Sequence, residues 1–160
     1  MKKIMFIVMA VALMLTGCGA KETQVADVPV NDIVKAIKEK AAMAEPVDEV
    51  NLKENTDIAT MLNISPDDLA EGVYVKAMIN IKADELIVLK AADDSKIETL
   101  KKALEDEGAA QEQNWSTYLP EQYELVKNRL IKQEGPYLIL FVGEKKDVAE
   151  ETFDSMLAAK

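Results

Sequence analysis

The sequence predicts an α+β fold. The expected form is a two-layer sandwich: a four-stranded antiparallel sheet of two hairpins, helices on one face, and one or two helices before it. Three observations point there. Segments 73–81 and 86–91, and segments 128–133 and 137–142, are strand-like pairs whose links are too short for a parallel crossover. A stretch with helical apolar spacing follows each pair. The composition suits one packed core, because 143 of the 160 residues remain once an N-terminal leader is set aside.

That leader is the most specific signal in the chain. Lys2 and Lys3 precede an unbroken apolar run from Ile4 to Leu15, and Leu15-Thr16-Gly17-Cys18 follows. A basic start, a short apolar stretch and small residues make a signal peptide. Twelve apolar residues fall short of the roughly 20 that a bilayer-spanning helix needs. A plain secretory leader has no use for a cysteine there, whereas a bacterial lipoprotein leader ends on one. We expect a signal peptide over 1–17, a diacylglycerol-modified Cys18 opening the mature chain, and a tether over 18–30. The domain then occupies 31–160, on the extracytoplasmic face of the cell membrane. Residues 19–30 would reach about 40 Å if extended.

The elements follow in order. Asn31 reads as a helix N-cap; Ile33, Val34, Ile37 and Ala41 fall on one stripe, and Pro46 ends the pattern. Ile58, Met61 and Leu62 suggest a short helix. Ser65-Pro66-Asp67-Asp68 starts another turn. Val73, Val75, Ala77, Ile79 and Ile81 alternate as a strand does, and Leu86-Ile87-Val88-Leu89 is a continuous apolar run that implies a central strand. Asp93-Asp94-Ser95 caps a long helix carrying Ile97, Leu100, Ala103, Leu104, Gln111 and Trp115, with Gly108 allowing close packing or interrupting it. Pro120 opens a further helix with Tyr123, Val126 and Leu130 inward. Glu134-Gly135-Pro136 is a turn, residues 137–142 form a strand, and Asp147 caps a last helix with Val148, Phe153, Met156 and Leu157 on its apolar side.

Composition removes several kinds of chemistry. The chain has no His and one Cys, which the lipid would claim. Imidazole metal sites, Ser-His and Cys-His catalysis and disulfides are therefore excluded, and no cofactor or metal is expected. Loss of Lys2 and Lys3 takes the formal charge from −10 to −12. An acidic surface repels nucleic acid and anionic headgroups, so no nucleic-acid partner is expected. Met43, Met61, Met78 and Met156 are dispersed and read as core filler.

A few residues carry binding chemistry. Asp84 and Glu85 are adjacent carboxylates at a hairpin link, too few for Ca²⁺ and more simply a solvated turn. Lys90 ends the buried strand, as a recognition cation or as a lysine paired with a carboxylate. The stretch from Gln111 to Tyr123 gathers the only Trp, two of four Tyr and several amides. Trp115, Tyr118 and Tyr123, with Gln111 and Asn114, form either a groove for a peptide or glycan or a corner that closes the core. No catalytic set has a recognisable spacing.

Three segments resemble a known family. Ala83-Asp84-Glu85-Leu86-Ile87-Val88-Leu89-Lys90, Tyr118-Leu119-Pro120-Glu121-Gln122-Tyr123 with Lys127-Asn128, and Gly135-Pro136-Tyr137-Leu138-Ile139-Leu140 are similar to small lipoproteins of Gram-positive bacteria, the family filed as domain of unknown function 4358. The resemblance runs from about Ile33 to Leu157. It implies a cell-surface lipoprotein and carries no activity, ligand or catalytic residue. The resulting expectation is a lipid-anchored, non-catalytic binding or accessory module. Its partners would be the membrane, through Cys18, and a protein, peptide or cell-wall component. The alternatives are a ligand-capturing lipoprotein serving a transporter and a His-free hydrolase.

Overall fold

A computed structural model describes residues 25–159. The expected leader over 1–17, Cys18 and the tether as far as residue 24 lie outside the described residues. Five strands form one antiparallel sheet: β1 (Val47–Asn51), β2 (Leu69–Ala77), β3 (Glu85–Ala91), β4 (Leu130–Glu134) and β5 (Tyr137–Val142), in the order β1-β2-β3-β5-β4. Both expected hairpins are present. Val73 faces Val88 and Val75 faces Leu86 across β2 and β3, and Leu130 faces Phe141 across β4 and β5. The hairpins join edge to edge where Val88 pairs with Ile139.

The α+β class and the antiparallel sheet hold, but the count of four strands needs correction. The fifth strand, β1, carries Asp48 and Glu49, both exposed. Charge of this kind marks a sheet edge, where it discourages pairing with another chain. The same charge hides the strand from a search for alternating apolar residues.

The two-layer expectation is also corrected, because helices cover both faces. On one face α1 (Val30–Ala41) and α5 (Lys146–Leu157) pack Ile33, Val34, Ile37, Ala149, Phe153 and Leu157 on Val73, Val75, Leu86, Val88, Ile139 and Phe141. On the other, α2 (Thr56–Met61), α3 (Ile97–Trp115) and α4 (Pro120–Lys127) cover Ile87, Leu89, Leu138, Leu140 and Val142. All six residues of β5 are buried. A strand that is apolar on both sides cannot leave one side in water.

Several boundaries shift for local reasons. Helix α1 starts at Val30, with Pro29 rather than Asn31 before it, and the Pro29 carbonyl accepts from Asp32 and Ile33. Helix α5 starts at Lys146, ahead of Asp147. Strand β2 ends at Ala77, so Met78 and Ile81 are exposed and Ile79 is only half-buried. The other expected core residues, Leu86, Val88, Leu100, Leu104, Ile139 and Phe141, are buried. Met43 is core as expected, but Met61 and Met78 are on the surface. Gly108 makes room for Arg129: a Cβ there would collide with the Arg129 Nε, and the guanidinium pairs with Glu112 at 2.9 Å to brace α3 against the start of β4.

Residues 25–30, expected as part of a tether over 18–30, are held on the domain. Ala26 N–H donates to the Leu157 carbonyl (2.9 Å), Val28 N–H to the Tyr137 hydroxyl (2.9 Å) and Val30 N–H to the Glu71 carboxylate (2.8 Å). Val25 and Val28 pack against the α1–α5 layer.

Truncating one large side chain in each helical layer tests the three-layer arrangement. Leu104→Ala should cost about 2–5 kcal/mol and Phe153→Ala about 3–5 kcal/mol in urea melts. A loss below about 1 kcal/mol for either would show that its layer is not core.

Candidate functional site

Lys90 lies at the end of β3 where the N-terminal segment crosses the sheet. Its ammonium meets the Asp27 carboxylate at 2.6 Å and Glu71 at 4.0 Å, and stands 5.4 Å from the centre of the Tyr137 ring. The hydrogen bond that Lys90 donates to Asp27 raises the Lys90 pKa above its ordinary value and lowers that of Asp27. The Tyr137 hydroxyl accepts from Val28 N–H and lies 2.9 Å from the Val28 carbonyl. Lys90 is therefore a paired cation that fastens residues 25–30 to the domain. Of the two readings expected for Lys90, the geometry matches the lysine paired with a carboxylate.

Asp84 sits at the opposite end of β3 and is buried, not solvated. Its carboxylate accepts the Ala44 N–H at 3.1 Å, tying the segment after α1 to the hairpin link. Ala83 N–H donates to the Gln122 side-chain oxygen at 2.9 Å, joining the same link to α4. Both bonds give the 78–84 loop a fixed seat.

Glu85, the next residue, is fully buried, and neither carboxyl oxygen has a hydrogen-bond donor among the described residues. It faces the α3 side. Burial raises its pKa well above 4.5, the nearby Glu107 carboxylate raises it further, and Lys76 across the hairpin opposes the shift only in part. Burial thus favours the neutral form of Glu85. Tyr74, two residues along β2 from Lys76, is also raised, by burial first and then by Glu85, Glu107 and Asp48. From Glu107 a chain of bonds runs outward along α3. Gln111 Nε2 donates to Glu107 at 2.7 Å, and Trp115 Nε1 donates to Gln111 Oε1 at 3.2 Å.

That chain ends at the corner between α3 and α4. Trp115 and Tyr118 contact each other, with ring centres 5.6 Å apart and planes tilted by 36°. Tyr123 packs under the Lys127 ammonium, 5.3 Å away. Trp115 and Tyr123 are half-buried, and Tyr118 and Asn114 are exposed. Gln111 is buried and serves as the link from Glu107 to Trp115. The structure brings Gln111, Trp115 and Tyr118 together, and sets Lys90 at the far end of the sheet.

Beside the corner lies a groove of about 570 Å³, walled by Ile81, Leu119 and Pro120, with Lys82, Glu121 and Gln122 at its margins. Among the described residues, Met78 (67% exposed), Ile81 (50%), Tyr118 (46%) and Leu119 (37%) are, with Met61, the large apolar side chains most open to water. The depressions along residues 49–57 and beside α1 are of similar size, about 530 and 510 Å³, but charged and amide side chains line them. Leu119 also has a left-handed backbone, φ 44°. A non-glycine residue rarely adopts it, and such strain gathers at functional positions. Among the described residues no three acidic or thiol side chains form a metal cluster. Ile81, Lys82, Leu119 and Glu121 were not singled out by the sequence. One signal was available for Leu119: it precedes Pro120 and so resists helical backbone.

Two substitutions probe this region. Tyr118 is too exposed to be a structural anchor, so Tyr118→Ala should change stability by about 1 kcal/mol or less in urea melts. Glu85→Gln should raise the melting temperature near pH 7–8 and leave it unchanged near pH 4. In the wild type, stability falls as pH rises from the ordinary value of 4.5 towards the raised native value, because the native state keeps a proton that the unfolded chain has lost. Parallel pH–stability curves for wild type and Glu85→Gln would refute this.

No curated protein and no solved structure matches the chain. A family model described as "Domain of unknown function (DUF4358)" matches residues 43–143, a span that holds all five strands and the α2, α3 and α4 layer but neither α1 nor α5. The chain belongs to this family.

Proposed function

We propose that this protein is a lipid-anchored, extracytoplasmic binding or accessory module of a Gram-positive cell surface, without catalytic activity of its own. The observation that carries the reading is Leu15-Thr16-Gly17-Cys18 directly behind a basic start and a twelve-residue apolar run. Among the described residues no helix is long and apolar enough to cross a membrane, so a lipid on Cys18 would supply the anchorage. Fixation of residues 25–30 leaves six residues between Cys18 and the docked segment, at most about 25 Å of extended chain. The domain is thus held close to the bilayer.

The chemistry of the domain supports binding over catalysis. Lys90 and Asp84 serve as structural pairs, and neither lines the groove. Glu85 is fully buried, which leaves it no open path to act as a base on a bound substrate. The exposed apolar groove at the α3–α4 corner suits recognition through contact. A transporter-serving receptor would enclose its ligand between lobes, and the groove here opens to solvent on a domain with one sheet.

Expression in a Gram-positive host with radiolabelled palmitate tests the anchor. The wild type should take up label and fractionate with membranes. Cys18→Ala should take up none and retain its leader. Absence of label on the wild type would overturn the lipoprotein reading.

A further inference from the structure

We infer that the groove between Ile81 and Leu119 receives an apolar segment flanked by lysine or arginine from a second protein, and that it faces away from the membrane. The orientation rests on the proposed lipid at Cys18; the partner chemistry does not.

The two ends of the sheet have different tasks. Residues 25–30 dock where β3 ends and β5 begins, on Lys90, Tyr137 and Glu71. The groove lies where β3 begins, at the 78–84 link and the α3–α4 corner. Lys90 and Glu85 are five residues apart on one strand, about 17 Å at 3.3–3.4 Å per residue. A chain tethered through residue 25 therefore presents the groove at the end remote from its attachment.

Walls and margins specify the occupant. Ile81, Leu119 and Pro120 offer apolar surface, which a segment with leucine, phenylalanine or similar side chains would cover. The bonds Ala83 N–H to Gln122 and Ala44 N–H to Asp84 hold both walls in place, so binding requires little ordering of the groove. Glu121 at the margin has no ion-pair partner among the described residues. Lys82, the cation of the lining, is met by Glu144 at 3.9 Å. With Lys82 so engaged, Glu121 and the chain's formal charge of −10 favour a cationic flank. The same charge opposes a second copy of this chain and an anionic bilayer as occupants.

The probe is a short fluorescent peptide with a Leu-Phe centre flanked by lysines, compared with the same centre flanked by glutamates. The full chain is reconstituted in neutral phosphatidylcholine vesicles. The lysine peptide should bind saturably by anisotropy, more weakly at high salt, and the glutamate peptide should not. Leu119→Ser and Ile81→Ser should each weaken binding by about tenfold or more with an unchanged melting temperature, since both side chains are exposed. Glu121→Lys should weaken the lysine peptide selectively. Trp115, the single tryptophan, should escape quenching by lipids spin-labelled near the headgroup.

Equal binding of both peptides, or binding that survives Leu119→Ser and Ile81→Ser, would overturn the partner chemistry. So would groove-dependent dimerisation or groove-dependent binding to bare vesicles. Strong quenching of Trp115 would overturn the orientation. Loss of palmitate label removes the anchor and the orientation together, while the peptide comparison still decides the groove.

Discussion

The organisation of this protein depends on the two central strands having no polar side. In β3, Leu86 and Val88 point to one face while Ile87 and Leu89 point to the other, and all four are fully buried. In β5, Ile139 and Phe141 alternate with Leu138, Leu140 and Val142 in the same way. Neither face can be left to water, so the sheet must be covered twice. The layer α2, α3 and α4 comes from segments that lie between or beside the strands. The other layer comes from the two ends of the described chain, where α1 and α5 pack together across the hairpin pairs. The family match takes in the sheet and the first layer, and the remaining helices complete the domain from either side.

The polar groups that look most reactive in this chain are its fasteners. Lys90, Tyr137 and Glu71 fix the N-terminal segment at one end of the sheet. Asp84 and Gln122 satisfy backbone N–H groups of converging segments at the other. Lys132 does similar work between β4 and α5, pairing with Glu150 at 3.0 Å and Asp154 at 2.7 Å. Buried or half-buried polar groups need partners, and satisfying them here fixes where chain segments cross. With no disulfide to staple loops, these contacts seat the links that packing alone leaves open. Glu85 departs from the pattern. Its carboxyl oxygens have no donor among the described residues and burial favours its neutral form, while the bonds from the nearby Glu107 through Gln111 to Trp115 lead to the surface corner.

Much of the fold was legible because its signals are local. The stripe Ile33, Val34, Ile37 and Ala41 marks α1, and the alternation through Val73 and Val75 marks β2. Gly135, with φ 55°, makes the turn between β4 and β5. The continuous run Leu86-Ile87-Val88-Leu89 already held the argument for helices on both faces. The two-layer expectation failed because it did not carry that argument through. Strand β1 was missed for a different reason: its carboxylates suit an edge, and edge position is a property of the assembled sheet. The aromatic corner was legible as a concentration of Trp, Tyr and amide side chains, but Ile81 and Leu119 were not. Ile81 continues the alternation of a strand that in fact stops at Ala77.

The sequence by itself determined the class of the fold, the hairpin pairings and most of the core. Each is written in residue type and spacing within one short segment, where periodicity and burial follow directly. Tertiary structure alone decided how the hairpins join, which polar residues become fasteners and which apolar residues stay outside. Lys90 meets Asp27 from 63 positions away, and Ala83 meets Gln122 from 39. Contacts over such separations depend on how the layers stack, and no local pattern encodes them. Whether Leu119 lies in the core or on a groove is settled by what the fold brings opposite it: the 78–84 loop, seated by a bond to α4.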